Sequence, residues 1–361
     1  MREDMPHIPT ERRPGRGTGL NPEGRFESLR RSDFDDGWDR DEELPPFRTL
    51  ITEERPRRMI TRNQSPDVPF DRSLNPYRGC EHGCIYCFAR PGHSYLGLSP
   101  GLDFETRLVA RPAAAEVLER DLRRRSYRPA VIALGTATDP YQPIEARYGI
   151  TRACLEVLRD YRHPVGVVTR GTLVERDVDV LAEMAAMGLA QVGITVTTLD
   201  AGLARKLEPR APSPARRLKM IATLAQAGVP VRVNVSPIIP GLSDDGIEAV
   251  MAAARDAGAV RASWVMLRLP FEVSELWRDW LATHYPDRAG KVMARLRDMH
   301  GGRDYAPDWG HRMRCEGHYA QMIAHRFKLA QRRLGLDADL PELRTDLFRV
   351  PPRAGDQLSL F

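Results

Sequence analysis

Five short runs rich in β-branched residues recur along the chain, each followed by a segment of helical length, and this alternation leaves few folds open. The runs are AVIALGT (Ala130 to Thr136), VGVVTR (Val165 to Arg170), VGITVTT (Val192 to Thr198), VRVNVSP (Val231 to Pro237) and SWVMLRL (Ser263 to Leu269). Each predicts a buried strand. PAAAEVLERDLRRR, DVDVLAEMAAMG and SPARRLKMIATLAQAG set apolar residues near i, i+3, i+4 and i+7 and stop at small residues or glycine, so each predicts an amphipathic helix. Repetition of this kind builds a parallel sheet with crossover helices. With a strand leading into a cysteine loop, the units number six, short of the eight in a closed barrel. The expectation is an α/β fold, a partial (βα)6 TIM-type barrel, with a doubly wound open sheet as the alternative.

Polar residues collect where these strands end: Thr136, Ala137, Thr138 and Asp139; Thr169 and Arg170; Thr195, Thr197 and Thr198; Ser236. Barrel enzymes build their sites at that edge. Asp177 and Ser243 read as helix N-caps. Trp277 and Trp280 read as core. Residues 1–45 are rich in Arg, Asp, Glu, Gly and Pro and poor in aliphatics, so a disordered N-terminal tail is expected. Residues 46–285 are assigned to the barrel with its lead-in, 286–350 to a helical C-terminal extension covering one barrel end, and 351–361 to a short tail. Within the extension, residues 287–300 and 311–334 are predicted helical.

The five cysteines of this 361-residue chain are too few for a disulfide framework, and no amino-terminal apolar segment precedes a cleavage-like site. A cytoplasmic protein is expected. No run nears the roughly 18 apolar residues of a membrane span, so no membrane partner is expected. The net charge of +5 rests on 54 basic residues of which only four are lysines, a weak pointer toward a polyanion. Nothing in the sequence sets an oligomeric state.

SLNPYRGCEHGCIYCFARP carries Cys80, Cys84 and Cys87 in the spacing C-x3-C-x2-C, with Gly79 and Gly83 able to bring the backbone close to a bound centre. Two inorganic centres suit such a loop. Structural zinc needs a fourth ligand, which the flanking His82 or His93 would supply. An iron–sulfur cube on three thiolates leaves one iron open to another molecule. Cys154 lies in an amphipathic helix and reads as a small buried hydrophobe. Cys315, in HRMRCEGHYA, has a cationic setting that would lower its pKa and make it a candidate catalytic thiol.

The three-cysteine loop, with Tyr86 before the third cysteine, at the first strand-to-helix connection of a six-unit βα chain, resembles the radical SAM superfamily. Within it, the chain is similar to a bacterial group related to spore photoproduct lyase. The resemblance spans residues 50–335 through SPDVPFDRSLNPYRGCEHGCIYCFARPGHSYLGLSPGLDFET, TDPYQPIE, TTLDAGLARKLEPRAPSPARRL and MHGGRDY. It implies that Cys80, Cys84 and Cys87 hold a [4Fe-4S] cluster whose fourth iron chelates S-adenosyl-L-methionine. One electron would then yield methionine and a 5′-deoxyadenosyl radical that abstracts a substrate hydrogen. It further implies Tyr86 near the adenine, Thr136 and Asp139 near the methionine amino group, and Arg170 and Thr195 at the carboxylate or ribose. Glu145, Glu208 and Arg210 would face the same cavity. Four positions depart from the group: Arg170 and Gly171 stand where lysine and serine are common, Ala137 where asparagine is common, and Cys315 where glycine is usual.

The implied function is a radical SAM enzyme with an unidentified substrate and a reducing partner of the flavodoxin or ferredoxin type. A photoproduct-lyase-like repair enzyme acting on nucleic acid is the first alternative, with Cys315 and Tyr319 returning the hydrogen. A zinc-stabilised nucleic-acid-binding module, closed by His93, is the non-catalytic one.

Overall fold

Strand Val165–Thr169 pairs in parallel with Ile132–Leu134 on one side and Ala190–Thr195 on the other, and the same step repeats across the sheet. The computed structural model describes residues 15–26 and 48–352. In chain order the parallel strands are β1 (Arg72–Leu74), β2 (Ile132–Leu134), β3 (Val165–Thr169), β4 (Ala190–Thr195), β5 (Val231–Ile238) and β6 (Arg261–Met266). Their spatial order follows their sequence order, and Ile60–Arg62 adds an antiparallel edge beside β1. All five sequence runs and the strand before the cysteine loop are present, and the sheet stays open between its two edges. This is the expected partial barrel.

Strand alternation sorts the side chains. Val165, Val167, Val192, Ile194, Val231 and Val233 are at most 1% exposed and belong to one apolar core with the surrounding helices. Among the helices around the sheet are α1 (Ala114–Leu122), α2 (Pro214–Gln226) and α3 (Ile247–Asp256). The second starts at Ser213, whose hydroxyl accepts from the Arg216 amide at 3.3 Å with Pro214 at the first helical position. Trp277 and Trp280 stack at 5.0 Å between centroids and are buried, as expected of core tryptophans.

The two expected caps serve otherwise. Asp177 is fully buried between Arg176 (2.7 Å) and Arg152 (3.2 Å), and Ser243 accepts from the Ile239 amide at 3.0 Å. Neither side chain caps its helix. A guanidinium beside a buried carboxylate outcompetes the backbone amides for it.

A second, three-stranded sheet joins Leu50–Glu53, Arg107–Ala110 and Tyr77–Arg78. Its last strand runs directly into Gly79 and Cys80, so this sheet is the floor of the cysteine loop.

Part of the expected N-terminal tail is packed. Leu20 accepts from the Leu102 amide at 3.0 Å, Asn21 bonds Asp103 at 3.1 Å, and the Gly17 amide donates to Glu105 at 2.9 Å. Arg25 pairs with Glu272 at 2.9 Å and lies 3.8 Å from the Phe271 ring centroid, while Phe26 stacks on Tyr95. These specific contacts order a segment whose composition lacks aliphatic mass. The remainder of residues 1–45 and residues 353–361 fall outside the described residues, apart from this strap at 15–26.

The C-terminal extension is helical at Pro286–Met299 and Gly317–Leu334. The latter packs beside β6 and α3, through Trp264 on Phe327 and Arg326 with Glu248, instead of covering a barrel end. The chain then returns along the amino-terminal edge of the sheet, where Phe348 packs against Tyr127, Tyr161 and His163.

Candidate active site

The cysteine loop leaves the small sheet with Gly79 at φ 75° and turns again at Gly83, φ 67°. A Cβ on Gly79 would stand 2.6 Å from Leu108 Cδ2, and one on Gly83 2.7 Å from Glu105 Oε2. Only glycine satisfies both the left-handed backbone and that closeness. Two carbonyls of the loop, those of Gly83 and Cys84, are satisfied by one side chain. Arg90, fully buried, donates to the carbonyls of Cys84 (3.0 Å) and Gly101 (2.9 Å) and ion-pairs with fully buried Glu105 at 2.5 Å. Thr138 and Gln142 donate to the Gly79 carbonyl at 2.6 and 3.2 Å, and Gln142 accepts from the Glu81 amide at 2.9 Å. The loop is thus bolted to the connection after β2.

Cys80 and Cys84 are buried, Cys87 is half-buried, and all three are free thiols. Burial drives the Cys80 thiol well up and the Cys84 thiol to about 12, even with Arg170 opposing the latter. Three soft sulfur donors on one glycine-folded loop fit an iron–sulfur centre. Both histidines expected as the fourth ligand of a zinc are engaged elsewhere. His93 donates Nε2–H to the Arg107 carbonyl at 2.9 Å and packs edge-on to Phe104, while His82 Nδ1 stands 3.4 Å from Asp139. Among the described residues no three His, Cys, Asp or Glu side chains converge as the ligands of a single ion do.

Above Cys84 sits a charged knot. Arg170 Nη1 donates to Cys84 Sγ (3.0 Å), Tyr86 Oη (2.8 Å) and Glu208 Oε1 (2.8 Å). Glu208 also accepts from Thr197 at 2.9 Å, from the Tyr86 hydroxyl, and from Arg217. Burial alone would raise the Glu208 carboxyl, but Arg217 and Arg170 hold it at about 2. Burial pushes Tyr86 well above the usual phenol range.

Of the other sequence-predicted residues, Thr136 and Thr195 reach the same rim. Thr136 accepts from Asn75 at 3.2 Å, and the Thr195 carbonyl accepts from Arg217 at 3.2 Å. Asp139 is spent on structure: it accepts from Thr169 (2.5 Å) and from the Tyr141 and Arg170 amides (2.9 Å each). Burial opposes its ionisation, yet His82 and these donors keep its pKa at about 2. Glu145 is fully buried among Tyr77, the Thr151 amide (3.0 Å) and Arg176 (2.7 Å), so it braces the β2 connection where a cavity-facing role was expected. Arg210 reaches Glu81 at 3.3 Å and lies over the cysteine loop.

Cys315 adopts φ 61°, unusual for a non-glycine residue, with Sγ 3.3 Å from His300 Nε2. Burial lifts its thiol to about 12 and outweighs Arg268, which reverses the expected lowering. Its supposed partner Tyr319 turns its hydroxyl to Asp244 and meets Arg295 at 3.1 Å. The two side chains take different hydrogen-bond partners. The ring beside His300 is Tyr305, at 5.8 Å.

Sequence reasoning missed Arg90, Glu105, Gln142 and Arg217 as site builders, although each lies inside a block quoted for the resemblance.

A family model described as "Radical SAM superfamily" matches residues 74–254. An uncharacterized protein of Mycobacterium tuberculosis is 36% identical over 242 residues, covering 66% of this chain and 70% of its own. One from Methanocaldococcus jannaschii is 28% identical over 171 residues, 47% of this chain and 61% of its own. Among solved structures, spore photoproduct lyase complexed with dinucleoside spore photoproduct aligns at TM-score 0.57 and 13% identity, over 79% of both chains. At that identity the likeness is one of fold.

Proposed function

Since the chain belongs to the radical SAM superfamily, whose enzymes use a [4Fe-4S] cluster and S-adenosylmethionine, we propose that it abstracts hydrogen from a substrate bound in the barrel lumen. The observation carrying this reading is the cysteine loop: three free thiols at the carboxyl edge of the strands, with Arg170 within 3.0 Å of one of them. Cys80, Cys84 and Cys87 would hold the cluster. When bound, the cluster supplies one electron that splits S-adenosylmethionine into methionine and the 5′-deoxyadenosyl radical. The protein's own part is binding, orientation and exclusion of water. Arg170, with one face toward Cys84 and its side chain 18% exposed, is the guanidinium suited to a carboxylate. Glu208 and Arg217 fix its position, and Asp139 fixes its backbone. Tyr86 and Thr197 close the wall beside it. A one-electron donor of flavodoxin or ferredoxin type completes the requirement.

A nucleic-acid substrate of the photoproduct-lyase kind would rest on fold alone, and the thiol and tyrosine invoked for it bond to His300 and Asp244. No helix among the described residues is long and apolar enough to cross a membrane.

The test is anaerobic reconstitution with iron and sulfide, followed by dithionite and S-adenosylmethionine. The expected result is about four irons per chain and 5′-deoxyadenosine, both abolished by Cys84→Ala in a protein of unchanged circular dichroism. A folded, iron-loaded wild type that leaves S-adenosylmethionine intact overturns the reading.

A further inference from the structure

The lumen side of the sheet differs from the packed interior of a closed barrel, where bulky branched residues fill the layers. Strand register sets Ser73, Ala133, Gly166 and Gln191 in one row, and Thr195, Asn234 and Ser263 in another. Between them Val168, Gly193, Arg232 and Arg261 align. This middle row lies about 7 Å deeper than Thr195, two residues along each strand. It is therefore in the same lumen as the site around Arg170, one layer below it. None of these lumen positions carries Asp or Glu.

The two arginines of the middle row have different fates. Arg261 points out to the returning chain and pairs with Asp339 at 2.7 Å. Arg232 has one hydrogen bond, Nε to Asn234 at 3.1 Å, and no carboxylate partner among the described residues. Its Nη2 lies over Gly193, 3.5 Å from where a Cβ would be, and that Cβ would stand 2.8 Å from Asn234. The glycine makes room for the Asn234 amide beside the guanidinium. Burial, and then the Arg261 charge, act against the ionised form of Arg232, so the site is short of negative charge. At the next lumen position of β4, Gln191 Oε1 is buried without a hydrogen-bond partner. Ser263 donates its hydroxyl to Asn234 at 2.7 Å, which orients that amide beside the arginine.

We propose that Arg232, on the floor of the lumen, is the seat for a carboxylate or phosphate group of the substrate. The inference rests on the lumen being the substrate site. It also deepens that reading, because it selects an anionic substrate that enters with its charged group down and leaves its reacting carbon nearer the cysteine loop.

The probe is inorganic phosphate, titrated calorimetrically in low-chloride buffer into the reconstituted chain, before and after saturation with S-adenosylmethionine. Wild type should bind at one site with or without S-adenosylmethionine. Arg232→Gln should weaken phosphate by about tenfold or more while leaving S-adenosylmethionine affinity unchanged, and Arg232→Lys should restore most of it. Equal phosphate affinity in wild type and Arg232→Gln overturns the proposal. So does displacement of phosphate by S-adenosylmethionine, which would make Arg232 a seat for the methionine carboxylate. Should Arg232→Gln not fold, selenate soaked into wild-type crystals decides: an anomalous peak within hydrogen-bonding reach of the Arg232 guanidinium supports the seat, and its absence rejects it. Neither readout depends on S-adenosylmethionine cleavage, so failure here is separable from failure of the radical chemistry.

Discussion

The helix-facing side of the barrel sheet and the cysteine loop are both removed from water, but by different means. On the sheet, Val192, Ile194 and Val233 are buried against other hydrocarbon. In the loop, the buried centre is a guanidinium and a carboxylate, Arg90 and Glu105, surrounded by backbone carbonyls. Hydrocarbon burial is non-directional and scales with area, so many apolar sequences would serve. A buried ion pair repays its desolvation only when geometry is right and the remaining donors are used. The sheet therefore supplies stability, and the loop supplies the precise placing of three sulfurs.

Glu105→Gln is the sharpest way to break the comparison. It leaves Arg90 charged and unpaired inside the loop, and the expected loss is about 3–5 kcal/mol, read as the urea midpoint, together with failure to retain iron. A loss under 1 kcal/mol would mean that the loop is held by its backbone alone. Ile194→Ala attacks the other region. It should cost about 2–5 kcal/mol while the folded fraction still retains its iron, because the loop's hydrogen bonds do not involve that face.

Acid tests both regions at once. His93 under the loop and His163 at the lower sheet edge are each lowered by burial to about 4. Both are neutral when folded and take up a proton when unfolded below about 6.5. Stability from each is complete above pH 6.5 and is lost as pH falls to about 4, by roughly 3 kcal/mol apiece. Asp139 and Glu208, held near 2, remain ionised in that window and add to the loss only below about pH 4.5. Urea midpoints between pH 7 and pH 4 should fall, and His163→Gln should remove about half of the slope. A flat profile would show that the two imidazoles are solvated. The smallest expected effect is Thr138→Val, which deletes one hydroxyl donor to the Gly79 carbonyl and should cost about 1 kcal/mol.

The same contrast explains what could be read from the sequence. The strands were visible because apolar runs have a period and length that no solvated segment shares. The cysteine loop was visible because three thiols in eight residues have few other uses. Asp139, Glu145 and Glu208 were found as residues of the site region, but their roles were not legible. A carboxylate that binds a ligand and one that ties down an amide or an arginine are the same letter. Arg90 and Glu105 escaped for that reason. Buried pairs carry no periodic signal, and among 54 basic residues one that never meets water does not stand out. The order of the segment at 15–26 is invisible to composition, which counts aliphatic mass, because it comes from a glycine amide, an asparagine and a cation–π contact.

That strap also imposes a schedule. A ribosome delivers Gly17 and Arg25 before almost everything they touch: Gly17 must wait for Glu105, and Arg25 for Phe271 and Glu272 beyond the last barrel strand. What is made first is fastened last. Through most of synthesis the nascent cysteine loop lacks this cover, and the strap can finish closing over it only once the whole barrel has been threaded out.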